Sequence, residues 1–298
     1  MRAFRAVVET RSFKRAGDQL GLGGSAVSKL IAGLERDVGA VLLQRTTRKL
    51  AITEAGEAFY DSVVRVLDET ALAIDRLQEH DGQPQGVLRV SVPTSFALMW
   101  LSTRMPDFLV RYPGLRLDMT LNDRYVDLVA ERYDCALRIG SELPDSALYA
   151  RRLGWIPRVL VAAPGYLNGS PPLCTPADLA AHDALVYSLS NTGSAWTFMV
   201  EGEPVSVEVS GRFKVNNSIM LRDTLLAGIG LALTPHFVVQ DLLASQRLMA
   251  LLPDFVPGPL GVHGVITQRR HVPMKTQIFL DFVQDALERS GYGESARG

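Results

Sequence analysis

The sequence contains few of the residues that build covalent or metal-bound frameworks. Only two cysteines occur among 298 residues, too few for a disulfide framework or a cysteine-ligated metal cluster. Cys135 lies in an apolar run and is predicted to be a buried small hydrophobe, and Cys174 has no flanking cation to stabilise a thiolate. The five histidines show no metal-ligand spacing. The sequence therefore predicts no metal site, no cofactor and no redox-sensing cysteine.

Long apolar runs and catalytic motifs are also missing. No uninterrupted apolar run approaches the ~18–20 residues of a membrane span. The N-terminus lacks the apolar core of a signal peptide. No nucleophile-elbow or Walker pattern occurs. We therefore expect a cytoplasmic protein that neither contacts a membrane nor acts as an enzyme.

The net charge of −1 conceals an asymmetry along the chain. Residues 1–60 contain ten Lys or Arg against six Asp or Glu, whereas the remainder contains 21 against 26. A basic end on an acidic body indicates a polyanion-binding module joined to a second function. With 298 residues, two or three domains are expected.

A glycine cluster near the N-terminus can be interpreted in two ways. Gly21, Gly23 and Ala26 satisfy the loose glycine pattern of dinucleotide-binding loops, which requires a buried strand before it. The preceding segment instead predicts an amphipathic helix, with Ser12 as its cap and Gly21 just beyond its end. We expect Leu22 to pack into the core and a second helix to run from residue 24 or 25 to Arg36. Its predicted apolar face comprises Ala26, Val27, Leu30, Ile31 and Leu34. Two short helices around a glycine turn form a helix-turn-helix.

The next segment, 41–53, predicts two short strands around a basic turn. Arg45, Arg48 and Lys49 lie within five positions, with Thr46 and Thr47 as neutral donors. Such a turn suits contacts to DNA phosphates. The alternative is a solvated surface turn, which the neighbouring helix-turn-helix makes less favoured. We interpret the segment as a wing.

These residues resemble the DNA-binding domain of LysR-type transcriptional regulators over roughly residues 2–60. The resemblance is carried by Ser12-Phe13, Ala16, Leu20, the run Ser25 to Ser28, Leu34-Glu35, Arg45 to Arg48, and Leu50 to Gly56. It implies that the second helix enters the major groove and that the wing contacts the DNA backbone. The residues it implies at the DNA are Ser12, Ser25, Ala26, Ser28, Lys29, Arg45, Thr46, Arg48 and Lys49. Gly23 and Gly24 depart from the family, which usually has Ser or Thr and often Gln there, so base reading must rest more on Ser25, Ser28 and Lys29.

A helix of about 27 residues is predicted from the cap Thr53 onward, spanning roughly 40 Å. Its apolar residues alternate in steps of four and three like a coiled-coil seam. The predicted dimerisation residues are Phe59, Val63, Val66, Ala73 and Leu77. Pairing of two heads would place them on two half-sites. The alternative is packing of this seam against its own chain.

Strands alternate with helices from residue 87 onward, which predicts open α/β sheets. Predicted strands are 87–92, 115–121, 134–139, 159–163, 231–234 and 262–267, with helical stretches including 125–131 and 175–181. Ligands in such sheets bind beyond the carboxyl ends of strands. Thr94 and Ser95 follow the first strand and predict an anion site, although simple helix capping is the alternative. Arg138, at a strand end, is either a carboxylate partner or part of a surface ion pair.

Three further segments, 133–140, 215–235 and 278–283, resemble the effector-binding domain of the same family. The resemblance implies two α/β subdomains like a type 2 periplasmic binding protein, with the effector in the cleft between them. The predicted contacts are Thr94, Ser95 and Arg138 on one wall, with Asn217 and Ser218 near the opposite wall. A small carboxylate is the expected effector. The family also implies a homodimer and a homotetramer.

The predicted architecture is therefore an α+β winged helix-turn-helix head at 1–60, a linker helix at 53–80, a hinge at 81–86 and an effector-binding domain at 87–298. The predicted function is a sequence-specific transcriptional regulator that binds double-stranded DNA and a small-molecule effector. A solute-binding receptor and an enzyme are the competing hypotheses. The basic head and the missing signal peptide disfavour the receptor, and the enzyme lacks a site pattern. Retention on heparin at low salt would distinguish the regulator from the receptor.

Overall fold

A computed structural model describes residues 1–45, 50–78, 84–140, 148–190, 193–267 and 272–293 of the chain. The chain divides into two compact units, Met1–Gly82 and Gln83–Gly298. We call the first unit the head and the second unit the effector unit. None of the described helices is both long and apolar enough to cross a bilayer.

The head contains four helices and one hairpin among its described residues. These are α1 (Arg2–Thr10), α2 (Phe13–Leu20), α3 (Gly24–Val38), β1 (Leu43–Arg45), β2 (Leu50–Ile52) and α4 (Glu54–Gln78). β1 and β2 pair antiparallel, with Leu43 opposite Ile52. The predicted helix-turn-helix and strand pair are both present. The wing tip itself, with Thr46, Arg48 and Lys49, lies outside the described residues.

One hydrophobic cluster holds the head together. Phe4, Val7, Val27 and Ile31 are buried in it. The Phe4 ring packs against Phe59 of α4, with ring centroids 5.7 Å apart. The start of α4 therefore completes the core of the DNA-binding unit rather than leaving it.

The effector unit begins with a subdomain built on a five-stranded sheet. Its strands are β3 (Gly86–Val92), β4 (Leu115–Leu121), β5 (Cys135–Gly140), β6 (Tyr149–Ile156) and β14 (Leu260–Ile266), and their order is β4-β3-β5-β14-β6. β3 runs parallel to β4 and β5, whereas β14 is antiparallel to both of its neighbours. Its helical elements are α5 (Thr94–Phe96), a π-helical turn (Ala97–Leu101), α6 (Met105–Arg111) and α10 (Met274–Arg289). We call this part subdomain I.

A second five-stranded sheet forms subdomain II. Its strands β7 (Arg158–Ala162), β8 (Asp183–Tyr187), β11 (Ser210–Val215), β12 (Leu231–Pro235) and β13 (Met249–Leu251) follow the order β11-β8-β12-β7-β13. The hairpin β9 (Ala195–Val200) and β10 (Glu203–Glu208) forms a separate sheet. The helices are α7 (Pro164–Leu167), a 3₁₀ helix (Pro176–Ala181), α8 (Ser218–Leu226) and α9 (His236–Ala244). Phe96 of subdomain I packs edge-on against Phe237 of subdomain II, with centroids 5.6 Å apart.

One predicted helical stretch, 125–131, is wrong. Residues 128–132 form turns and residues 125–127 no regular element, because Asp127 Oδ1 accepts from the amides of Val129 and Ala130 and Arg132 adopts a left-handed φ of 62°. The predicted helical stretch 175–181 is confirmed as a 3₁₀ helix, Pro176–Ala181. Cys135 is fully buried as predicted, and its burial raises the pKa of the thiol far above its ordinary value.

Candidate DNA-binding and effector-binding sites

The turn between α2 and α3 is defined by local hydrogen bonds. Ser12 Oγ accepts from the Arg15 amide at 3.3 Å, and so caps α2 as predicted. Gly21 ends α2 with a φ of 67°, a left-handed conformation that favours glycine. The Leu22 amide then donates to the Gly17 carbonyl at 2.8 Å. A β-carbon on Gly17 would lie 2.5 Å from the Leu22 carbonyl oxygen, so only glycine permits this close turn.

The first turns of α3 present polar side chains to solvent. Ser25 and Lys29 are exposed, Ala26 and Ser28 are half-buried, and Gly23 begins the helix without a side-chain cap. These positions suit the insertion of a helix N-terminus into the major groove. A β-carbon at Gly24 would make only ordinary contact with the Lys14 backbone, at 3.5 Å.

The predicted apolar face of α3 is only partly correct. Val27 and Ile31 are buried, whereas Leu30 is 52% exposed. The buried stripe of α3 is therefore narrower than the sequence predicts, and Leu30 and Ala26 lie at the edge of that stripe. Leu22 is likewise 41% exposed, so its predicted packing into the core is wrong.

Glu35 anchors the wing to α3. Its Oε1 accepts from the amides of Leu42 and Leu43, at 2.8 and 3.0 Å. The Thr53 amide donates to the Leu42 carbonyl, and Thr53 Oγ1 accepts from the Gly56 amide at 2.9 Å to cap α4 as predicted. The hairpin that carries Arg45 is thus attached at both ends to the helices of the head.

The predicted dimerisation seam divides along α4. Val63 is 1% exposed within its own head, which favours packing within the chain over the predicted dimer contact at this position. Phe59 also packs on the head cluster. Val66 is 50% exposed. The side chains of Ala73 and Leu77 lie outside the described part of the chain. The start of the seam therefore packs within the chain, which was the alternative interpretation.

The strand ends of subdomain I form the other candidate site. Neither Thr94 nor Ser95 caps α5 with its hydroxyl, so the capping interpretation is wrong. The Thr94 amide instead donates to Asp123 Oδ1 at 2.9 Å. The Asn122 amide donates to the Val92 carbonyl at 2.8 Å and extends the pairing of β3 with β4. Asp123 is the next residue after this extension.

Ser95 is 6% exposed, and its hydroxyl makes no hydrogen bond to any residue that the structure describes. The Ser95 oxygen is nevertheless not completely enclosed by the described part of the protein. It therefore still reaches accessible space. A π-helical turn follows, and such turns are frequent at functional sites.

Asn217 and Ser218 start α8 at the corresponding edge of subdomain II. Asn217 Oδ1 accepts from the amides of Ile219 and Met220, at 3.0 and 3.1 Å, and so caps this helix. No hydrogen bond among the described residues joins this pair to Thr94 or Ser95. Burial, and then the Asp123 carboxylate, raise the pKa of Tyr187, at the end of β8, to about 12.

Arg138 is 7% exposed and is not part of a surface ion pair. Its guanidinium donates to the carbonyls of Leu137 and Arg124 and to Ser91 Oγ, at 2.7, 3.1 and 3.5 Å. Burial lowers the pKa of Arg138, and Tyr125 and Asp123 oppose that effect. These three hydrogen bonds all lie within its own subdomain, and no hydrogen bond among the described residues joins it to Thr94 or Ser95.

Two sequence models of protein families match this chain, and together they cover almost its whole length. Residues 1–57 match the bacterial regulatory helix-turn-helix protein, lysR family. Residues 81–288 match the LysR substrate binding domain. The chain belongs to the LysR family of transcriptional regulators. The expected family and fold class are thereby confirmed.

Curated relatives resemble this LysR-type regulator over nearly their full lengths. It is 34% identical over 290 residues to the HTH-type transcriptional regulator PtxR of Pseudomonas aeruginosa, covering 97% of this chain and 93% of PtxR. It is 33% identical over 293 residues to the HTH-type transcriptional activator AaeR of Escherichia coli, covering 98% and 94%. Among solved structures, CrgA of Neisseria meningitidis has a TM-score of 0.61 at 32% identity, covering 96% and 97% of the two chains. The full-length Vibrio cholerae virulence activator AphB has a TM-score of 0.57 at 28% identity, covering 94% and 96%.

Sequence reasoning missed two residues of this LysR-type regulator that position its sites. Glu35 was noted only as part of a family motif, although its carboxylate holds the start of the wing. Asp123 was not singled out, although it follows a predicted strand just as Thr94 does. The strand-end rule applied equally to β4 and could have found it. Within the described ranges, no group of three or more His, Cys, Asp or Glu residues could hold a metal ion.

Proposed function

We propose that this LysR-type regulator reads a specific DNA sequence through the start of α3 and contacts the flanking phosphates through its wing. The observation that carries the proposal is the exposed pair Ser25 and Lys29 on the first turns of a helix-turn-helix. Hydroxyl and ammonium donors suit acceptor groups at base edges, whereas Arg48 and Lys49 of the wing suit phosphates. We propose that it acts in the cytoplasm and not as an enzyme.

Operator DNA for the test is obtained by selecting fragments from random DNA with the purified protein. Lys29→Ala should relax the sequence preference, because a base contact is lost. Arg48→Ala should weaken binding to operator and random DNA equally and reduce the salt slope by about one. Lys214→Ala, an exposed cation of the effector unit, is the control of equal charge and should change neither property. Identical effects of the first two variants on operator and random DNA would contradict this division of roles.

We further propose that DNA binding responds to a small organic anion, a carboxylate, held between the subdomains. This site is supported by Ser95, which is almost fully buried as a residue. Its hydroxyl still reaches accessible space and has no hydrogen-bond partner among the described residues. Thr94 lies beside it, and Asn217 and Ser218 begin α8 on the other subdomain. A hydroxyl that reaches accessible space can donate a hydrogen bond to a ligand oxygen placed there.

The double variant Thr94→Val/Ser95→Ala tests this site. Because neither hydroxyl caps α5, the variant should stay folded and keep its operator affinity. Its response to effector, measured as effector-dependent operator binding, should be lost. Effectors are found by screening carboxylate metabolites against the wild-type protein. A full response at unchanged effector concentration would remove both residues from the site.

We also propose a homodimer through the exposed part of α4, and a homotetramer in which the effector units pair separately. Val66, which is half exposed on a helix of 25 residues, supports the first contact. Paired heads would contact two half-sites of one operator.

A further inference from the structure

The carboxylate of Asp123 already occupies one of the donors that a carboxylate effector needs. The Thr94 amide donates to Asp123 Oδ1 at 2.9 Å, directly beside the unpartnered Ser95 hydroxyl. An amide carries a single proton, so an effector oxygen and Asp123 cannot both take it in full. An effector carboxylate bound to the same amide would lie close to the Asp123 carboxylate, and the two negative charges would repel one another.

We propose that Asp123 is an internal competitor of the effector, which holds the Thr94 amide in the free protein and is displaced when a carboxylate binds. The proposal rests on the effector site proposed above and deepens it. It makes Asp123 the residue that sets effector affinity, because each bound carboxylate must first overcome the charge and the hydrogen bond of Asp123.

The charges around Asp123 support this role. The adjacent cation, Arg124, is committed to Glu131 through two bonds of 2.9 and 2.6 Å. Arg138 donates to carbonyls and a hydroxyl instead. Asp123 forms no ion pair with a cation in the described part of the chain. Asp123 interacts electrostatically with the buried Arg138 guanidinium but forms no ion pair with it, so an incoming anion still meets the negative charge of Asp123.

A displacement of Asp123 would also change the electrostatic environment in subdomain II. The Asp123 carboxylate acts electrostatically on Tyr187, at the end of β8 in subdomain II. Val215 pairs with Tyr187 and precedes Asn217 by two residues. A move of Asp123 away from Thr94 therefore changes the electrostatic environment of the strand end that leads to α8.

The competition is tested with acetate as a minimal carboxylate and acetamide as its neutral counterpart, at ionic strength matched with sodium chloride. Asp123→Asn keeps an oxygen that can accept from the Thr94 amide but removes the charge, and Asp123→Ala removes both. Asp118→Asn, on β4 with a side chain 62% exposed, is the control of equal charge change. Binding is measured in the full chain by isothermal titration and by the shift in Tm.

We expect the acetate dissociation constant to fall at least tenfold in Asp123→Asn and further in Asp123→Ala, with acetamide and Asp118→Asn showing no such gain. Equal acetate affinity in wild type and Asp123→Asn would overturn the competition while leaving an anion site in place. An equal gain in Asp118→Asn would reduce the effect to net charge and would also overturn it. Absence of acetate binding in all four proteins would overturn the carboxylate site itself, and the competition with it.

Discussion

At the scale of single residues, two helical glycines of the head have opposite environments. A β-carbon on Gly56 would lie 2.2 Å from the Leu42 carbonyl oxygen and 2.7 Å from Ile52 Cγ1. Gly56 therefore lets the start of α4 approach the hairpin. A β-carbon on Gly33, within α3, would meet no atom within 4 Å. Gly33 thus serves no packing purpose in its own unit.

These environments predict opposite effects of the same substitution. Gly33→Ala should stabilise the head by about 0.5–1 kcal/mol, because alanine restricts the unfolded chain and favours the helix. Gly56→Ala should destabilise it by about 1–3 kcal/mol, the range for overpacking a tight contact. Urea unfolding followed by circular dichroism measures both. A stabilising Gly56→Ala would refute the close approach of α4 to Leu42.

How far residue roles could be predicted depended on how local their partners are. Ser12, Gly21 and Thr53 perform their capping roles on groups within four residues, and the sequence predicted all three caps. Asp123 acts on an amide 29 positions away, and that contact exists only because β3 and β4 pair in register. Side-chain type alone indicates no such partner.

At the scale of elements, α4 combines two different surfaces along its length. Its first turns bury Val63 in the head, whereas Val66, less than one turn later, is half exposed. A seam read from spacing alone cannot separate these two environments, because both positions are apolar and lie three residues apart. The intrachain and intermolecular interpretations are thus not exclusive.

Single aspartate substitutions in α4 should separate these two surfaces. Val66→Asp should leave the head folded and yield smaller species by light scattering, since a charge would enter the proposed dimer contact. Val63→Asp should unfold the head, because it would bury an unpaired carboxylate in the core. Wild-type mass for a folded Val66→Asp protein would assign the exposed part of α4 a role other than dimerisation.

Strands were predicted well where their apolar residues alternate with polar ones, as in β3 and β4, and many of the others were missed. The predicted strand 115–121 coincides with β4, and 87–92 differs from β3 by one residue. β6, β8, β9, β10, β11 and β13 were not predicted. β6 begins Tyr149-Ala150-Arg151-Arg152, four exposed positions without alternation, and every residue of β10 is at least partly exposed. Their strand character comes from pairing with distant segments, which periodicity cannot show.

At the scale of the whole molecule, two histidines of the effector unit have pKa values below the ordinary value for histidine. Burial lowers the pKa of His236, whose Nδ1 lies 3.0 Å from the Tyr292 hydroxyl. Burial and then Arg152 lower the pKa of His263. The unfolded chain takes up these protons near pH ~6.5, before the folded chain does. The stabilisation is therefore complete above that pH and is lost as pH falls toward the lowered folded pKa values.

The free energy of unfolding of the effector unit should accordingly decrease between pH 7.5 and pH 5.5. His236→Gln and His263→Gln should each flatten that decrease relative to wild type, since each removes one proton taken up on unfolding. Urea titrations at the two pH values measure the difference, and background carboxylate titration cancels in the comparison. An unaltered pH dependence in both variants would show that neither histidine is linked to folding.

The topology of subdomain I has a consequence for how the protein is made. The strand β14 lies between β5 and β6 although it follows β6 by more than a hundred residues, so both neighbours emerge from the ribosome with open edges. Subdomain II, whose strands all lie between them and β14, can be complete before that gap is filled. Synthesis of subdomain I therefore begins first but is completed last, when β14 is added. Until then its unpaired strand edges are sites of aggregation. Chains that terminate early, before Leu260, should be recognised by chaperones and proteases even though their DNA-binding head is intact.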